Sequence, residues 1–163
     1  MPYPQEIREK LVQIYEDMIW LANRNHNSPA RARSWYTSTW SPALSSSIRI
    51  FSGNVSSAAI RNPDGRLCLE HYNRLAASIT QLIKKHNTNN IKDHDAFVEL
   101  IEQCERVNIT TDEENHTIQT KKGDYNASGI ELIAWENISY DIRSILFRNW
   151  LRGRVVNSKD YEC

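Results

Sequence analysis

The chain has 163 residues, and its 20 Lys and Arg balance 20 Asp and Glu, so the formal net charge is zero. Charged residues make up 25% and hydrophobic residues 40%, a balance typical of a globular chain that forms one domain with a sizeable core. A chain with zero net charge has no overall positive field that would attract a polyanion such as a nucleic acid. No apolar run approaches the roughly 20 residues of a membrane span, and no apolar signal-peptide core follows the N-terminus. Three cysteines without CxxC spacing predict a reduced, cytoplasmic protein without a zinc site built on cysteine pairs.

The first region, residues 1–47, is predicted to contain one long helix and a basic aromatic loop. Apolar residues recur every three or four positions through residues 4–24, which indicates an amphipathic helix. Residues 25–47 are rich in Ser, Asn and Pro, so we expect a loop there with at most one helical turn.

Two turn signals precede the first predicted strand. Ser52-Gly53-Asn54 indicates a turn, or the cap of a short helix through residues 58–60. Asn62-Pro63-Asp64-Gly65 is a strong turn sequence. The strand predicted for residues 66–70 follows it and ends with Glu70, directly before His71.

The rest of the chain predicts a mainly helical α+β domain with a small β element. The predicted elements are a helix at about 72–85, a helix at about 93–104, a strand at 106–110, a helix from 112 to about 120, a turn and short strand at 129–133, and a helix at about 139–151. The helix at 112 is marked by a capping box, because Thr111 and Glu114 have the required spacing. Residues 139–154 form the C-terminal region of the single domain.

Glu70 and His71 raise a choice between two interpretations. The end of a strand holds side chains rigidly at a surface, which suits a reacting group. It is equally the place where polar residues begin once a buried strand has ended. Both interpretations remain open from these two residues alone.

The order of the later elements resembles the HNH endonucleases, whose ββα-metal site has an acidic residue and His at the end of a strand and a His or Asn on the following helix. Here the second strand leads into a capped helix that carries Asn115 and His116. The pieces LEH, TTDEEN and Tyr125-Asn126-Ala127-Ser128-Gly129-Ile130 also occur in the order seen in small HNH-like proteins of bacteria and phage. The resemblance covers about residues 53–133, the middle region of the domain.

The resemblance implies a metal-dependent DNA endonuclease, acting in phage or bacterial defence. His71 would be the general base, and Glu70 with Asn115 would bind a divalent cation, Mg²⁺ or Mn²⁺. His116 is the other helix candidate for a metal ligand.

The chain also departs from the HNH pattern in two ways. His71 and Asn115 are 44 positions apart, so two helices would be inserted between the strands. The Asn that orients the catalytic His has no clear counterpart, and Asn73 and Asn108 are the candidates.

A second set of residues points to nucleic acid. Six arginines lie between residues 24 and 66 with only Asp64 opposing them, the aromatic residues Trp35, Tyr36 and Trp40 lie among them, and the stretch 148–154 is also basic. Arginine binds phosphates and aromatic rings stack on bases, so the predicted contacts are Arg31, Arg33, Trp40, Arg148 and Arg152. The alternative, solvated arginines and aromatic residues in the core, remains open.

These observations predict a DNA endonuclease first. The alternatives are a catalytically inactive nucleic-acid-binding protein and a non-enzymatic interaction or inhibitor factor. We expect DNA as a partner and no membrane contact, and a homodimer is compatible with the sequence.

Overall fold

A computed structural model describes residues 3–72 and 75–163. Helices form most of the chain, and four strands form a small mixed sheet. The α-helices are α1 (Gln5–Ala22), α2 (Pro29–Trp35), α3 (Ser41–Ile48), α4 (Ser57–Arg61), α5 (Leu75–Asn89), α6 (His94–Cys104), α7 (Asp112–Thr120) and α8 (Tyr140–Leu146). The strands are β1 (Ile50–Ser56), β2 (Leu67–His71), β3 (Arg106–Thr111) and β4 (Leu132–Ala134). Single π-helical turns cover Tyr36–Trp40 and Phe147–Leu151, and 3-10 turns cover Trp135–Asn137 and Ser158–Tyr161. The prediction of a mainly helical α+β domain is confirmed.

The sheet has the strand order β2-β3-β1-β4. β3 runs parallel to β1 and antiparallel to β2, while β4 is antiparallel to β1. Along the β2–β3 ladder, Leu67 pairs with Thr111, Glu70 with Asn108, and His71 with Val107. The two strands carrying the predicted motif are therefore neighbours, and α7 follows β3 directly.

The two faces of the sheet differ in chemistry because successive side chains of a strand point to opposite sides. One face is apolar and packs against the C-terminal segment through Phe51, Val55, Leu67, Val107 and Ile109. The opposite face carries Cys68 and Glu70 opposite Thr110 and Asn108. A second apolar cluster joins α1, α2, α3, α5 and α6. The polar face of the sheet is thus the unusual surface of this fold.

The prediction of a loop at residues 25–47 is wrong, because residues 29–48 are helical. Ser28 caps α2 by accepting a hydrogen bond from the Arg31 backbone N–H, and Pro29 occupies the first turn. A serine followed by a proline is common at the start of a helix as well as in loops. Burial of Ala32, Tyr36 and Ile48 in the helical core then fixes the segment.

The turn predicted at residues 52–54 is also wrong, because these residues lie inside β1. Gly53 adopts a left-handed φ of 86°, and the register with β3 shifts between Phe51 and Val55. The turn-like sequence therefore encodes a bulge, which is a common use of glycine in strands. The short helix expected after it is present as α4, capped by Ser56.

The remaining elements follow the sequence closely. Gly65 N–H donates to the Asn62 carbonyl in the predicted turn, at 3.0 Å. Both groups of the predicted capping box are bonded at the start of α7. α5 continues to Asn89, past the break expected at residue 86, while its predicted start and the candidate Asn73 fall outside the described residues. Within the described ranges, no helix has the length and apolarity needed to cross a membrane.

Candidate functional site

Glu70 and His71 lie at the end of β2, which is an edge strand of the sheet. Because they are consecutive in a strand, their side chains point to opposite faces. Glu70 faces the polar side together with its strand partner Asn108. His71 faces the apolar side together with its strand partner Val107. The two residues therefore take part in two separate networks.

His71 forms a hydrogen bond with Glu105, with 2.9 Å between Nε2 of the imidazole and Oε2 of the carboxylate. The His71 side chain is 30% exposed, whereas the Glu105 side chain is 0% exposed. A carboxylate only accepts hydrogen bonds, so Nε2 carries the proton and donates it. In the neutral ring this leaves the lone pair on Nδ1.

Glu105 is held in place by two further donors. Its Oε1 atom accepts hydrogen bonds from the Tyr36 hydroxyl and the Ser41 hydroxyl, each at 3.1 Å. Burial, and secondarily the charge of Glu105, raise the pKa of Tyr36, so this hydroxyl keeps its proton and acts as a donor. Three donors on one buried carboxylate satisfy its charge and fix its orientation.

Glu70 belongs to a polar network on the other face. Its carboxylate accepts a short hydrogen bond from the Tyr125 hydroxyl. Nδ2 of Asn108 donates to the same hydroxyl at 2.9 Å, and Oδ1 of Asn108 accepts from the Ser52 hydroxyl. Burial raises the pKa of Glu70, while the bond from Tyr125 lowers it by a smaller amount. Asn108, a candidate for orienting His71, thus bonds to Tyr125 instead.

The helix candidates Asn115 and His116 sit on α7, away from both networks. The Asp112 N–H donates to the Arg66 carbonyl, so α7 begins beside the start of β2. Glu70 and His71 lie at the other end of that strand. Four residues of a strand span about 13 Å, so these two residues are about that far from the start of β2. Oδ1 of Asn115 accepts from Gln119, and His116 is exposed. No hydrogen bond in the described part of the chain joins either residue to Glu70 or His71.

A metal ligand set is not assembled around these residues. No group of three or more His, Cys, Asp and Glu side chains converges among residues 3–72 and 75–163. Glu70 and His71 also point to opposite faces of the sheet. The divalent cation expected from the HNH resemblance therefore stays a prediction.

The predicted nucleic-acid residues of the N-terminal region lie on the segment that holds Glu105. Arg31, Arg33 and Trp40 are each within five residues, less than two helical turns, of Tyr36. Arg31 is exposed and donates to the His26 carbonyl, while Nε of Arg33 donates to Thr80 at 3.4 Å. Trp40 is partly buried against the helical core, which limits the ring face available to a base.

Arg148 and Arg152 are exposed at a different place in the fold. Arg148 lines an open depression of about 470 Å³ together with Arg154, Trp150 and the turn at residues 63–65. This turn precedes β2, so the C-terminal arginines lie nearer to its beginning than to His71. The structure therefore separates the predicted nucleic-acid contacts into two groups.

Sequence reasoning missed Glu105, which is the closest polar partner of His71. A signal was present, because Glu105 follows Phe97 and Ile101 at four-residue intervals on the buried stripe of α6. A carboxylate at an apolar position is rarely buried without a partner. Tyr125 was recognised only as part of a motif, and its bond to Glu70 could not be read from spacing.

Comparisons with protein-family models, with curated proteins and with solved structures returned no match for this chain.

Proposed function

We propose that the protein is a hydrolase of DNA phosphodiester bonds in which His71 is the general base. The observation that supports this proposal is the pair formed by a partly exposed imidazole and a fully buried carboxylate, His71 and Glu105. Imidazole is suited to take up a proton near neutral pH, and an oriented imidazole does so at a defined atom.

Glu105 is a positioning residue in this proposal. Its bond to Nε2 selects the tautomer in which Nδ1 accepts a proton, and its negative charge stabilises the imidazolium that results. Tyr36 and Ser41 hold the carboxylate so that it cannot turn away. This arrangement performs the orienting role that the HNH pattern assigns to an Asn.

The reaction consumes one water molecule. Nδ1 of His71 takes a proton from the water as its oxygen attacks phosphorus, one P–O bond forms, and the bond to the leaving oxygen breaks. The imidazolium or solvent then returns a proton to the leaving oxygen.

The neighbouring helical segment supports DNA as the substrate. Arg31 and Arg33 lie on the same helical segment as Tyr36 and Ser41, the two residues that hold Glu105. A guanidinium has five N–H donors, and a single protein bond leaves others for phosphate oxygens. Arginine contacts to phosphates position a nucleic acid without reading its sequence.

The test is cleavage of supercoiled plasmid and labelled oligonucleotides in Mg²⁺, in Mn²⁺ and in EDTA. His71→Gln keeps an amide donor for Glu105 but removes the base, so we expect a loss of about a hundredfold or more. His94→Gln is the matched control, because His94 also pairs with a glutamate, Glu16, at 3.1 Å on another surface. We expect it to cleave as the unmodified protein does.

Two results would contradict the proposal. One is a folded His71→Gln protein that cleaves at the original rate. The other is the absence of cleavage by the unmodified protein in either metal, which would favour the non-catalytic nucleic-acid-binding alternative.

A further inference from the structure

A depression of about 490 Å³ lies on the polar side of the sheet, beside the end of β2. Its lining includes Tyr72, Tyr125, Asn126, Ile130 and Leu132. Gly123 and the Asp124 carboxylate complete the lining, so the two aromatic rings and two aliphatic side chains lie in a depression whose accessible surface is more polar than apolar. A heterocyclic ring with hydrogen-bonding groups on its rim has the complementary chemistry.

The two tyrosines have different roles in this depression. The Tyr125 ring is fixed, because its hydroxyl is bonded to both Glu70 and Asn108. The Tyr72 ring lies against it, with 5.6 Å between centroids and 40° between planes, yet Tyr72 remains 54% exposed. Tyr125 therefore supports Tyr72 from behind, and the outer face of Tyr72 is open.

Polar groups surround this aromatic surface. Asn126 is exposed, and its side chain makes no hydrogen bond among the described residues, so both its donor and its acceptor are available. Lys121 and Lys122 are exposed on the turn that leads into the depression. An amide beside the ring and two ammonium groups nearby match the edge of a nucleobase and the phosphates that flank it.

We propose that this depression binds one unpaired base of single-stranded DNA, stacked on Tyr72. In a duplex both faces of a base are covered by its neighbours, so a base reaches Tyr72 only when it is unpaired or extruded. This inference rests on the proposed function for its consequence, because Tyr72 directly follows His71. A base held at Tyr72 places the adjoining phosphodiester around the sheet edge at which His71 is exposed.

The binding test uses a fluorescein-labelled single strand and the same sequence as a blunt duplex, both in EDTA, and gel electrophoresis after each titration checks that the strands are intact. Fluorescence anisotropy gives Kd for the unmodified protein, Tyr72→Ala and Tyr72→Phe. We expect Tyr72→Ala to weaken single-strand binding by about tenfold, within the range for loss of one stacked base, while Tyr72→Phe binds normally. Duplex binding should be the same for all three proteins.

Tyr140→Ala is the matched control, because Tyr140 is 60% exposed but belongs to α8 and does not line the depression. It should leave both Kd values unchanged. The inference is overturned if Tyr72→Ala binds the single strand as tightly as Tyr140→Ala does. It is also overturned if Tyr72→Ala weakens duplex binding by the same factor.

Failure of this inference can be told apart from failure of the hydrolase proposal. If the protein cleaves nothing but Tyr72→Ala still loses single-strand affinity, the hydrolase proposal alone fails. If cleavage depends on His71 while Tyr72→Ala binds and cleaves single strands normally, the base-binding inference alone fails.

Discussion

At the scale of single residues, the buried carboxylate of Glu105 decides what His71 can do. A lone histidine at a strand end is usually a solvated side chain. Here the Tyr36 and Ser41 hydroxyls hold a fully buried carboxylate against one nitrogen of the ring. The imidazole is therefore oriented before any ligand arrives, which is the property that a general base requires.

Glu105→Gln should lower kcat for DNA cleavage by about a hundredfold or more, because the amide no longer selects the tautomer or stabilises the imidazolium. KM should change little, since Glu105 is buried and does not contact substrate. Steady-state kinetics of the folded variant check this split. A rise in KM with normal kcat would instead assign Glu105 to the shape of the binding surface.

Glu70 should make stability depend on pH, because burial raises its pKa in the folded state. The folded protein then holds its proton more tightly than the unfolded chain does, so stability falls as pH rises through the ordinary range of a glutamate, about 4.3 and above. Glu70→Gln removes this titration. Urea unfolding at pH 4, 5.5 and 7 should show the variant gaining stability relative to the unmodified protein as pH rises.

The control for this measurement is Glu99→Gln, since Glu99 is exposed on α6. It should follow the unmodified protein at every pH. A Glu70→Gln difference that is constant from pH 4 to 7 would show that the carboxyl titrates alike in the folded and unfolded states.

At the scale of secondary-structure elements, the start of α7 links helix and sheet. The Thr111 hydroxyl accepts from the Glu114 N–H at 3.1 Å, and Oε2 of Glu114 accepts from the Thr111 N–H at 2.9 Å. The same Oε2 atom also accepts from the Ser56 hydroxyl at the end of β1, at 2.5 Å. The capping box therefore ties α7 to the strand beside it.

Thr111→Ala should destabilise the protein by about 1 kcal/mol, which is typical for the loss of an N-cap side chain. Thr117→Ala, in the same helix, should change stability by less than about 0.5 kcal/mol, because its hydroxyl only bonds back to the Glu113 carbonyl. Urea unfolding of both variants is the measurement. Equal effects of the two substitutions would mean that the capping bonds add nothing beyond helix propensity.

The elements that sequence predicted well are those with a local signal. Apolar periodicity indicated α1 and α6, and a capping box indicated α7, because these features depend on residues within a few positions. β1 was missed because Gly53 allows a bulge in a sequence that also suits a turn. Residues 29–48 were missed because their burial depends on helices distant in sequence.

The site was predictable only in part, for the same reason. Glu70 and His71 were recognised as a strand end, which is a local property. Glu105 is 34 residues from His71 and Tyr125 is 55 from Glu70, so both contacts depend on how the chain folds back. The opposite directions of Glu70 and His71 follow from strand alternation and could have been predicted.

At the scale of the whole molecule, residues from both terminal regions form hydrogen bonds with the backbone just before β1. The Tyr3 hydroxyl donates to the Ile48 carbonyl at 2.8 Å, and the Val156 N–H donates to the Arg49 carbonyl at 2.8 Å. β1 also separates the helical core from the sheet core, because Ile50 belongs to the first cluster and Phe51 to the second. Contacts at this point therefore join the two cores.

Asn157 completes this junction by replacing a missing strand partner. Pairing between β1 and β4 covers only residues 54–56 of β1, which leaves Phe51 without a strand neighbour on that side. The Asn157 side chain supplies both bonds, accepting from the Phe51 N–H at 2.9 Å and donating to the Phe51 carbonyl at 3.0 Å. An amide side chain has the same donor and acceptor as a peptide group, so it fits this position.

Asn157→Ala should destabilise the whole protein by about 2 kcal/mol, because the Phe51 N–H loses its partner and the Phe51 carbonyl keeps only the bond from the Tyr161 hydroxyl, at 3.3 Å. Asn137→Ala is the control, since Asn137 is exposed in the Trp135–Asn137 turn and should change stability little. Urea unfolding measures both, and amide hydrogen exchange should show Phe51 exchanging faster only in Asn157→Ala. If both variants unfold at the same urea concentration, the junction is held by apolar packing around Phe51 and Tyr161 rather than by the Asn157 bonds.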